Sequence, residues 1–474
     1  MKKIHAFDMG IYNPFKSRNV EIKVNKATKE NKVFFSEDFF NAEDERPWEV
    51  RFDNTYPNVF YDSHTKKYRL YYSTFSVDKG SSDFTLDERQ DRTYEPATER
   101  VVSLCYAESA NGIDWVKPNL GLVEFNGNKN NNIIGHYLHG TSVFLDESEN
   151  NPEKKYKMFT KIDYGNGIHY LAVAFSADGI KFSDYIELKD FNPRADTHNS
   201  IFFDETLNKY VLITREWRDS MRVACIATST DFINWTPPEE ILYPRGYGNQ
   251  IYAMPVFKEG DYRIGLASMY HEGDMSSADY DKVDLELAYT YKYKGWNYVE
   301  SDHSFIERGE GDYYSEGAFD SSVIFSALPV KIGNRTYFYY MGGNGQHTNF
   351  RETSFARAYI EYDRYSYIAP KEPGQESSVN TNGFVFLSDE IYLDAEIDKG
   401  GSIDIELFTF DHKKIEDVEV TLEKIGHLYK IKINKDLERQ ITRLQIQLKN
   451  AKIYSFQGDI EMFRVEDDNS LLRL

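Results

Sequence analysis

The chain has 474 residues, of which 41% are hydrophobic and 15% aromatic, so it can bury a substantial core and its composition favours strands. Its 77 Asp and Glu residues outnumber 56 Lys and Arg residues, and the net charge of −21 disfavours binding to nucleic acid or to an anionic membrane. No apolar run reaches the roughly 20 residues of a membrane-spanning helix, and the N-terminus lacks the apolar segment of a signal peptide. We therefore expect a soluble, cytoplasmic protein.

Five strand-turn-strand units recur along the chain, each with a short apolar strand, a turn and a Tyr-led strand. The apolar strands begin at Val59, Val143, Ile201, Val256 and Val330, at intervals of 84, 58, 55 and 74 residues. This spacing is typical of four-stranded propeller blades, whereas a sandwich does not repeat in this way. Apolar faces at helical spacing are missing, which argues against a helical solenoid. We predict an all-β fold with a five-bladed β-propeller over residues 45–370.

A second repeated feature is a small hydroxyl residue followed six positions later by an aromatic residue. The copies are Ser109–Trp115, Ser176–Phe182, Ser229–Trp235 and a degenerate Thr290–Trp296. Their Asp/Asn-Gly centres predict tight hairpin turns. Cys105 and Cys225 each lie four residues before such a serine. Equivalent positions in different blades are too far apart for a disulfide, so we expect two buried free thiols.

The sequence character changes after Pro370. Residues 371–382 are polar and rich in turn formers, and we interpret them as a linker. Beyond them apolar residues alternate with polar ones, as at Ile403, Ile405 and Leu407, which predicts a small antiparallel β-sandwich over residues 383–474. We expect the N-terminal segment, residues 1–44, to pack on the propeller.

The predicted architecture resembles glycoside hydrolase family 32, the invertases and levanases, and its propeller resembles family 43, the arabinanases and xylosidases. Tyr56-Pro-Asn-Val-Phe-Tyr61 is similar to the first-blade segment in which Asp-Pro-Asn precedes the innermost strand of a family 32 enzyme. In that family the nucleophilic aspartate directly precedes the proline, where this chain has Tyr56, and the nearest carboxylate is Asp53. The third-blade Arg-Asp-Pro and fourth-blade Glu-Cys motifs are also missing as such. The resemblance implies a divergent glycosidase acting on a small oligosaccharide.

Polar residues just before the innermost strands of a propeller point toward its central cavity. Glycoside hydrolysis needs two carboxyl groups across the scissile bond. The candidate catalytic carboxylates at these positions are Asp53, Asp196, Glu316 and Asp320. Because clustered carboxylates repel, we expect one pKa to rise enough for a general acid, and we assign that role to Glu316 or Asp320. Asp53 is then the nucleophile or base, and Asp196 binds ring hydroxyls, as the resemblance implies for a third-blade aspartate.

Candidate substrate-binding residues lie at the same strand starts and at the rims of the predicted blades. They are Arg51, Asn54, His139, His198, Asn199, Arg215, Trp217, Asn249, His271 and His347. Arginine can bind carboxylates or sugar hydroxyls, and tryptophan can stack on a sugar face. Asp62, Asp146 and Asp204 follow the apolar strands, and we interpret them as hairpin-turn residues outside the site.

Two alternatives keep the same fold. A non-catalytic carbohydrate-binding propeller is favoured by the tyrosine at the family's nucleophile position. A glycoside phosphorylase would need a basic phosphate pocket, for which Arg51, Arg215 and Arg245 are the candidates. We expect no cofactor and no metal site, since His136, His139 and His198 lack strict ligand spacing. The sugar, the linkage, the stereochemical outcome and the oligomeric state stay open.

Overall fold

The computed structural model describes residues 2–8, 10–37, 46–90, 92–96, 98–311 and 319–463. Within these ranges the fold is all-β, and its helices are α1 (Lys79–Ser82), α2 (Leu86–Gln90) and a single 3-10 turn at Pro152–Lys154. Neither α1 nor α2 has the length or hydrophobicity to cross a membrane. The chain forms two compact units: one comprises Met1–Lys26, Val299–His303 and Ile360–Leu474, the other Ala27–Tyr298 and Ser304–Tyr359.

The larger unit contains five successive antiparallel repeats, named here the first to the fifth repeat. Four short strands precede the first repeat: β1 (Lys2–His5) and β2 (Val20–Val24) belong to the smaller unit, and β3 (Thr28–Lys29) and β4 (Phe35–Ser36) belong to the larger one. The first repeat has β5 (Asn58–Asp62), β6 (Lys67–Asp78), β7 (Arg100–Ser109), β8 (Trp115–Val116) and β9 (Ile133–His136). The second has β10 (Leu138–Leu145), β11 (Tyr156–Asp163), β12 (His169–Ser176) and β13 (Ile186–Glu187). The third has β14 (Ser200–Asp204), β15 (Lys209–Arg218), β16 (Met221–Ser229) and β17 (Glu239–Leu242).

The fourth and fifth repeats share one larger sheet. The fourth has β18 (Asn249–Ala253), β19 (Val256–Glu259), β20 (Tyr262–His271), β21 (Val283–Tyr291) and β22 (Trp296–Tyr298). The fifth has β23 (Val323–Ser326), β24 (Val330–Ile332), β25 (Arg335–Gly343) and β26 (Thr353–Glu361), with β3 and β4 pairing on β26. The two repeats join through one parallel contact, Val283 with Val323. No sheet formed by the described residues closes on itself.

A buried aspartate at the end of the first strand connects each of the first three repeats to the next. Asp62, Asp146 and Asp204 are at most 2% exposed. Their Oδ1 atoms accept turn amides, as from Ser148 N at 3.0 Å, which confirms the predicted turn role. Their Oδ2 atoms accept tyrosine hydroxyls of the following repeat, Tyr156 at 2.6 Å, Tyr210 at 2.8 Å and Tyr293 at 2.6 Å. These carboxylates therefore both cap turns and bind adjacent repeats together.

Turns that follow the repeated serines contact a tyrosine of a neighbouring repeat. Gly179 lies in the second repeat and has φ +74°. Its carbonyl oxygen accepts a hydrogen bond from the Tyr71 hydroxyl of the first repeat at 2.9 Å. A Cβ at Gly179 would lie 2.6 Å from Arg69 Nη1, so glycine is required there. Gly112, in the first repeat, accepts the Tyr339 hydroxyl of the fifth repeat at 2.8 Å. The first repeat thus contacts both the second and the fifth.

Apolar cores lie between the repeats in the same pattern. One core joins the first and fifth repeats through Leu70, Tyr72 and Cys105 on one side and Tyr339 and Met341 on the other. Further cores join the first and second, the second and third, and the third and fourth repeats. Both cysteines are buried and unbonded, which confirms the predicted free thiols.

The smaller unit is built on two long strands that pair repeatedly. Its C-terminal strands are β27 (Ser366–Pro370), β28 (Ser377–Thr409), β29 (Val420–Ile425), β30 (Leu428–Ile433) and β31 (Ile441–Met462). β31 pairs with successive stretches of β28, among them Ile391–Ile397 and Ser402–Thr409. The predicted alternation of apolar residues is confirmed by this antiparallel pairing and by a core that includes Ile403, Leu407 and Ile446. The description as a β-sandwich stays a prediction.

Two predicted boundaries are wrong. β28 already begins at Ser377, and Val379 is fully buried opposite Ile446, so the linker cannot extend to residue 382. The polar residues there belong to the sheet, since Thr381 Oγ1 accepts Leu444 N at 2.9 Å. The N-terminal segment is divided: β1 and β2 pair with β31 and β27, whereas β3 and β4 pair with β26.

The buried aspartates predict a pH-dependent contribution to stability. Burial raises the pKa of Asp204, but Arg263 Nε at 2.6 Å and Tyr293 outweigh it, so the pKa falls to about 2. A lowered carboxyl pKa stabilises the fold above the unfolded value near about 4, and this stability is lost as pH falls through about 2. Asp204→Asn leaves Arg263, only 1% exposed, without its counter-charge. We expect a loss of about 3 kcal/mol in the free energy of unfolding at pH 7.

Urea denaturation at pH 7 and at pH 2.5 measures this effect. The difference between wild type and Asp204→Asn should be smaller at pH 2.5, and the exposed Asp190→Asn should match wild type at both values. Equal stability of Asp204→Asn and wild type at pH 7 would contradict the role assigned to this carboxylate.

Candidate functional site

Asp53 lies in a strained turn directly before β5. Asp53, Thr55 and Tyr56 all have positive φ, at +54°, +54° and +47°. Left-handed backbone is costly for Thr and Tyr, whereas aspartate tolerates it. The turn is held by Tyr56 N donating to Asn54 O at 2.6 Å and by Ser73 N donating to Thr55 O at 2.7 Å. It presents the Asp53 carboxylate, whose side chain is 27% exposed.

Two arginines converge on this carboxylate. Arg351 Nη2 lies 2.7 Å from Asp53 Oδ1, and Arg51 Nη2 lies 3.1 Å from the same atom. Both guanidinium side chains are almost fully buried. Burial raises the pKa of Asp53, but the charges of Arg351 and Arg51 outweigh it and hold the pKa well below its ordinary value. Asp53 is therefore an anion at neutral pH.

Asn54 connects Asp53 to a group of aromatic side chains. Its Oδ1 accepts Arg351 Nη2 at 2.7 Å, and its Nδ2 donates to the Tyr252 hydroxyl at 3.1 Å. Nδ2 also lies 3.3 Å from His347 Nε2. Burial, together with the charge of Arg351, lowers the pKa of His347 to about 3, so this imidazole is neutral. The amide, the phenol and the imidazole fix one another in place.

Asp196 forms the second carboxylate of the site and follows Ala195, which has φ +45°. His139 Nε2 lies 2.7 Å from Asp196 Oδ1, and Arg215 Nη2 lies 3.6 Å from Oδ2. Burial raises the pKa of Asp196, but His139, Arg215 and Lys161 lower it well below its ordinary value. The side chain is nevertheless 52% exposed, so the anion is accessible from solvent beside His139 and Arg215.

The tyrosine pair Tyr56 and Tyr252 joins the two carboxylate groups. Their hydroxyls lie 3.2 Å apart. The Tyr56 ring packs edge-on against His139 at 5.6 Å, and Arg215 lies 4.8 Å from the Tyr252 ring. Asp53 and Asp196, 143 residues apart in sequence, are thus ends of one contact network.

One exposed aromatic side chain, that of Trp217, lies at the edge of this network. Trp217 is 41% exposed, and its ring contacts Arg222 at 4.4 Å and Arg215 at 5.9 Å. Arg222 also pairs with Glu272 at 2.8 Å. The Trp217 face is suited to stacking on a sugar ring.

Several predicted site residues have other partners. The Asp320 carboxylate is buried against Lys29 Nζ at 3.0 Å and the Tyr340 hydroxyl at 2.8 Å, and its assignment as the general acid stays a prediction. His271 contacts Asp284 at 2.6 Å and Asn249 at 2.7 Å, because alternation along β20 turns it away from Tyr270, which contacts His347.

Two further predicted ligands are buried. Asn199 is fully buried; its Nδ2 donates to Gly140 O at 2.7 Å, and its Oδ1 accepts the Thr214 hydroxyl at 2.7 Å. His198 is 4% exposed and stacks on Tyr56, and burial lowers its pKa to about 3. Glu316 lies outside the described residues.

Asp53 and Asp196 both have a lowered pKa, and the identity of the general acid stays a prediction. Mutual repulsion does not dominate, because each anion has its own arginine partner. The sequence did not reveal Tyr252 and Arg222, which lie within strands, or Arg351, which lies in the loop between β25 and β26. No group of three metal-ligating side chains is found in the described part of the chain.

No protein-family model matches this sequence, and no curated protein sequence matches it. Solved structures match this chain at low identity. An N-acetylgalactosamine deacetylase from F. plautii, solved with blood group B trisaccharide, is 13% identical with a TM-score of 0.46, over 72% of this chain and 96% of that one. A glycosyl hydrolase from Bacteroides ovatus is 15% identical with a TM-score of 0.44, over 75% and 95%.

A third structure, described under the GH130 family of mannoside phosphorylases and its glycoside hydrolases, is 15% identical with a TM-score of 0.42, over 75% and 96%. These structural neighbours are carbohydrate-active proteins. At this identity they carry no argument about the chemistry of this chain, which is inferred below from its own residues.

The cation pairs predict how Asp53 titrates. We expect the pKa of Asp53 and of Asp196 to lie below the ordinary value of about 3.9. Arg351→Gln should raise the pKa of Asp53, because it removes the closest positive charge, and should leave that of Asp196 nearly unchanged. NMR titration of aspartate labelled at the carboxyl carbon measures both. The exposed Arg439→Gln serves as the matched control, and an Asp53 pKa above 3.9 in wild type would contradict the geometry.

Proposed function

We propose that this chain is a glycoside hydrolase that cleaves a small oligosaccharide at the Asp53–Asp196 site of a five-bladed β-propeller. The observation that carries the proposal is the pair of ionised carboxylates, each partly open to solvent, joined by one network of buried arginine, tyrosine and histidine side chains. We also propose that the protein is cytoplasmic and that a β-sandwich follows the propeller.

The contacts between repeats support a propeller of five blades. The first repeat contacts the second through the Gly179 turn and the fifth through the Gly112 turn. A ring in which every repeat has two neighbours satisfies both contacts, whereas an open array would leave the first and last repeats apart. A pocket of about 270 Å³ is also lined by segments of all five repeats, among them Asn58, Val143, Ile201, Phe257 and Pro329.

The carboxylates suit a reaction that develops positive charge on a sugar ring. Glycosidases use an oxocarbenium-like transition state, which nearby anions stabilise. Asp53, fixed by Arg351 and Arg51, acts as nucleophile or base because it is ionised and oriented. Asp196 is the more exposed anion, and together with Arg215 it can bind ring hydroxyls while Trp217 stacks on a sugar face.

A non-catalytic carbohydrate-binding propeller is the second candidate. Tyr56 replaces the aspartate that precedes the proline in family 32, and its ring is buried against His139 and His198. Asp53 and Asp196 are both ionised, so neither donates the proton that the leaving group needs. A glycoside hydrolase should cleave its glycan, whereas a carbohydrate-binding propeller should bind the glycan without cleaving it.

Substitution of each carboxylate tests the proposal. A screen of aryl furanosides, aryl pyranosides and fructo-oligosaccharides, with and without phosphate, identifies the substrate. Asp53→Asn and Asp196→Asn should each lower kcat by about a thousandfold. Asp190→Asn, an exposed control near Asp196, should retain wild-type kcat.

The melting temperature of each variant is the control for folding and should change little. Full activity of both site variants would overturn the site assignment. Glycan binding without turnover by wild type would favour the carbohydrate-binding propeller, and a requirement for phosphate would favour a phosphorylase.

A further inference from the structure

Four tyrosines of the second repeat and its entry form a group that is partly open to solvent. They are Tyr137, Tyr164, Tyr170 and Tyr185, called here the tyrosine patch. Tyr164 is 42% exposed and Tyr185 is 37% exposed, and Ile168, in the same turn as Tyr164, is 59% exposed. Single exposed apolar side chains are ordinary, whereas a contiguous group of them marks a binding surface.

The inner part of the patch is held by its backbone and by contacts between the rings. Tyr137 has φ +65°, which is costly for a residue as bulky as tyrosine. Its N–H donates to Val102 O at 2.6 Å, and its carbonyl accepts Asp163 N at 3.0 Å. The rings of Tyr137 and Tyr164 lie 4.9 Å apart, and a hydrogen bond joins the side chains of Tyr164 and Tyr170.

The outer part of the patch is fixed by Tyr185. A Cβ at Gly135 would lie 2.9 Å from the Tyr185 hydroxyl, so the glycine leaves room for this side chain against β9. Burial, together with Tyr170 and Tyr164, raises the pKa of Tyr185 to about 12, and the phenol is neutral. Rings that are already ordered lose little conformational entropy when a ligand binds to them.

The patch adjoins the candidate site at Tyr137. Val102, whose carbonyl accepts Tyr137 N, lines a small crevice together with Asp53 and His139. His139 in turn contacts Asp196 at 2.7 Å. The patch therefore borders the space between the two carboxylates.

A second connection runs through Lys161. Its Nζ lies 3.8 Å from the Asp163 carboxylate, and Asp163 directly precedes Tyr164. Burial raises the pKa of Asp196, and Lys161 is one of the cations that lower it. A sugar on the patch would thus lie next to a sugar held at Asp196.

The chemistry of the patch suits a neutral sugar. The faces of tyrosine rings pack on the C–H face of a sugar, and the hydroxyls exchange hydrogen bonds with sugar hydroxyls. Asp163, with a side chain 38% exposed, and the exposed Glu187 border the patch, and Glu187 acts on Tyr170 by its charge. These anions disfavour an acidic sugar.

We propose that the tyrosine patch binds a neutral sugar residue of the glycan, beyond the two residues that flank the scissile bond. That the patch extends a cleavage site rests on the proposed function, whereas glycan binding by the patch does not. The substrate is then an oligosaccharide of more than two residues.

Calorimetry on the full chain tests this inference with neutral gluco-, manno-, xylo- and fructo-oligosaccharides, each as a disaccharide and as a pentasaccharide. We expect at least one pentasaccharide to bind about tenfold more tightly than its disaccharide, because stacking on the patch adds to binding at the Asp53–Asp196 site. Tyr164→Ala should raise the Kd of that pentasaccharide about tenfold and leave the Kd of the disaccharide unchanged.

Matched variants and a second measurement serve as controls. Tyr164→Phe keeps the ring and should retain most of the affinity. Tyr61→Ala removes a tyrosine of β5 that is 45% exposed, and it should bind both sugars like wild type. In wild type with tyrosine rings labelled for NMR, the Tyr137 and Tyr164 signals should shift with the pentasaccharide and not with the disaccharide.

The outcomes separate this inference from the proposed function. Equal affinity of wild type and Tyr164→Ala for every pentasaccharide, or binding of none of them, overturns the inference. An oligomer that Tyr164→Ala dissociates without a change in glycan affinity also overturns it, because the patch would then join copies of the chain. Binding that depends on Tyr164 without any turnover would overturn the proposed function alone. Turnover with the same kcat/KM for disaccharide and pentasaccharide would overturn the inference alone.

Discussion

The architecture of the larger unit depends on a buried aspartate that serves two neighbours at once. In Asp62, Asp146 and Asp204 one oxygen accepts the amides of the hairpin turn and the other accepts a tyrosine hydroxyl from the next repeat. A buried carboxylate is stable only when its oxygens are satisfied, so each such residue favours one register between successive sheets. The contact repeats along the chain because the strand-turn-strand unit repeats. The same unit thus specifies both its own hairpin and its packing on a neighbour.

That packing explains how distant residues form one site. Asp53 precedes the first strand of the first repeat and Asp196 precedes that of the third, so fixed packing of the repeats brings segments far apart in sequence into one network. The local geometry is then set by positive φ at Asp53 and Ala195 and by arginines from elsewhere in the unit. Buried guanidinium groups keep both carboxylates ionised, and the hydroxyls of the tyrosine pair lie 3.2 Å apart between them.

Much of this could be predicted from sequence, because repeats and turn chemistry are local. The serine turns, the free cysteines and the proximity of Asp196 to Arg215 all follow from short patterns. The direction of the pKa shifts could not be predicted, since Arg351 lies 298 residues from Asp53. The partners of His271, which are Asn249 and Asp284, could not be predicted either, because a one-residue difference in β20 decides which face a side chain occupies. The end of the linker could not be predicted, because the polar side chains of Ser377 and Thr381 accept hydrogen bonds within a buried sheet.

The central claim is that the Asp53–Asp196 site cleaves a glycosidic bond with water. Cleavage of the best substrate from the glycoside screen, carried out in water enriched in oxygen-18 and followed by mass spectrometry, measures this directly. The account predicts one labelled oxygen in the released sugar for each bond broken. An unlabelled sugar phosphate as product, or glycan binding with no product at all, would contradict it.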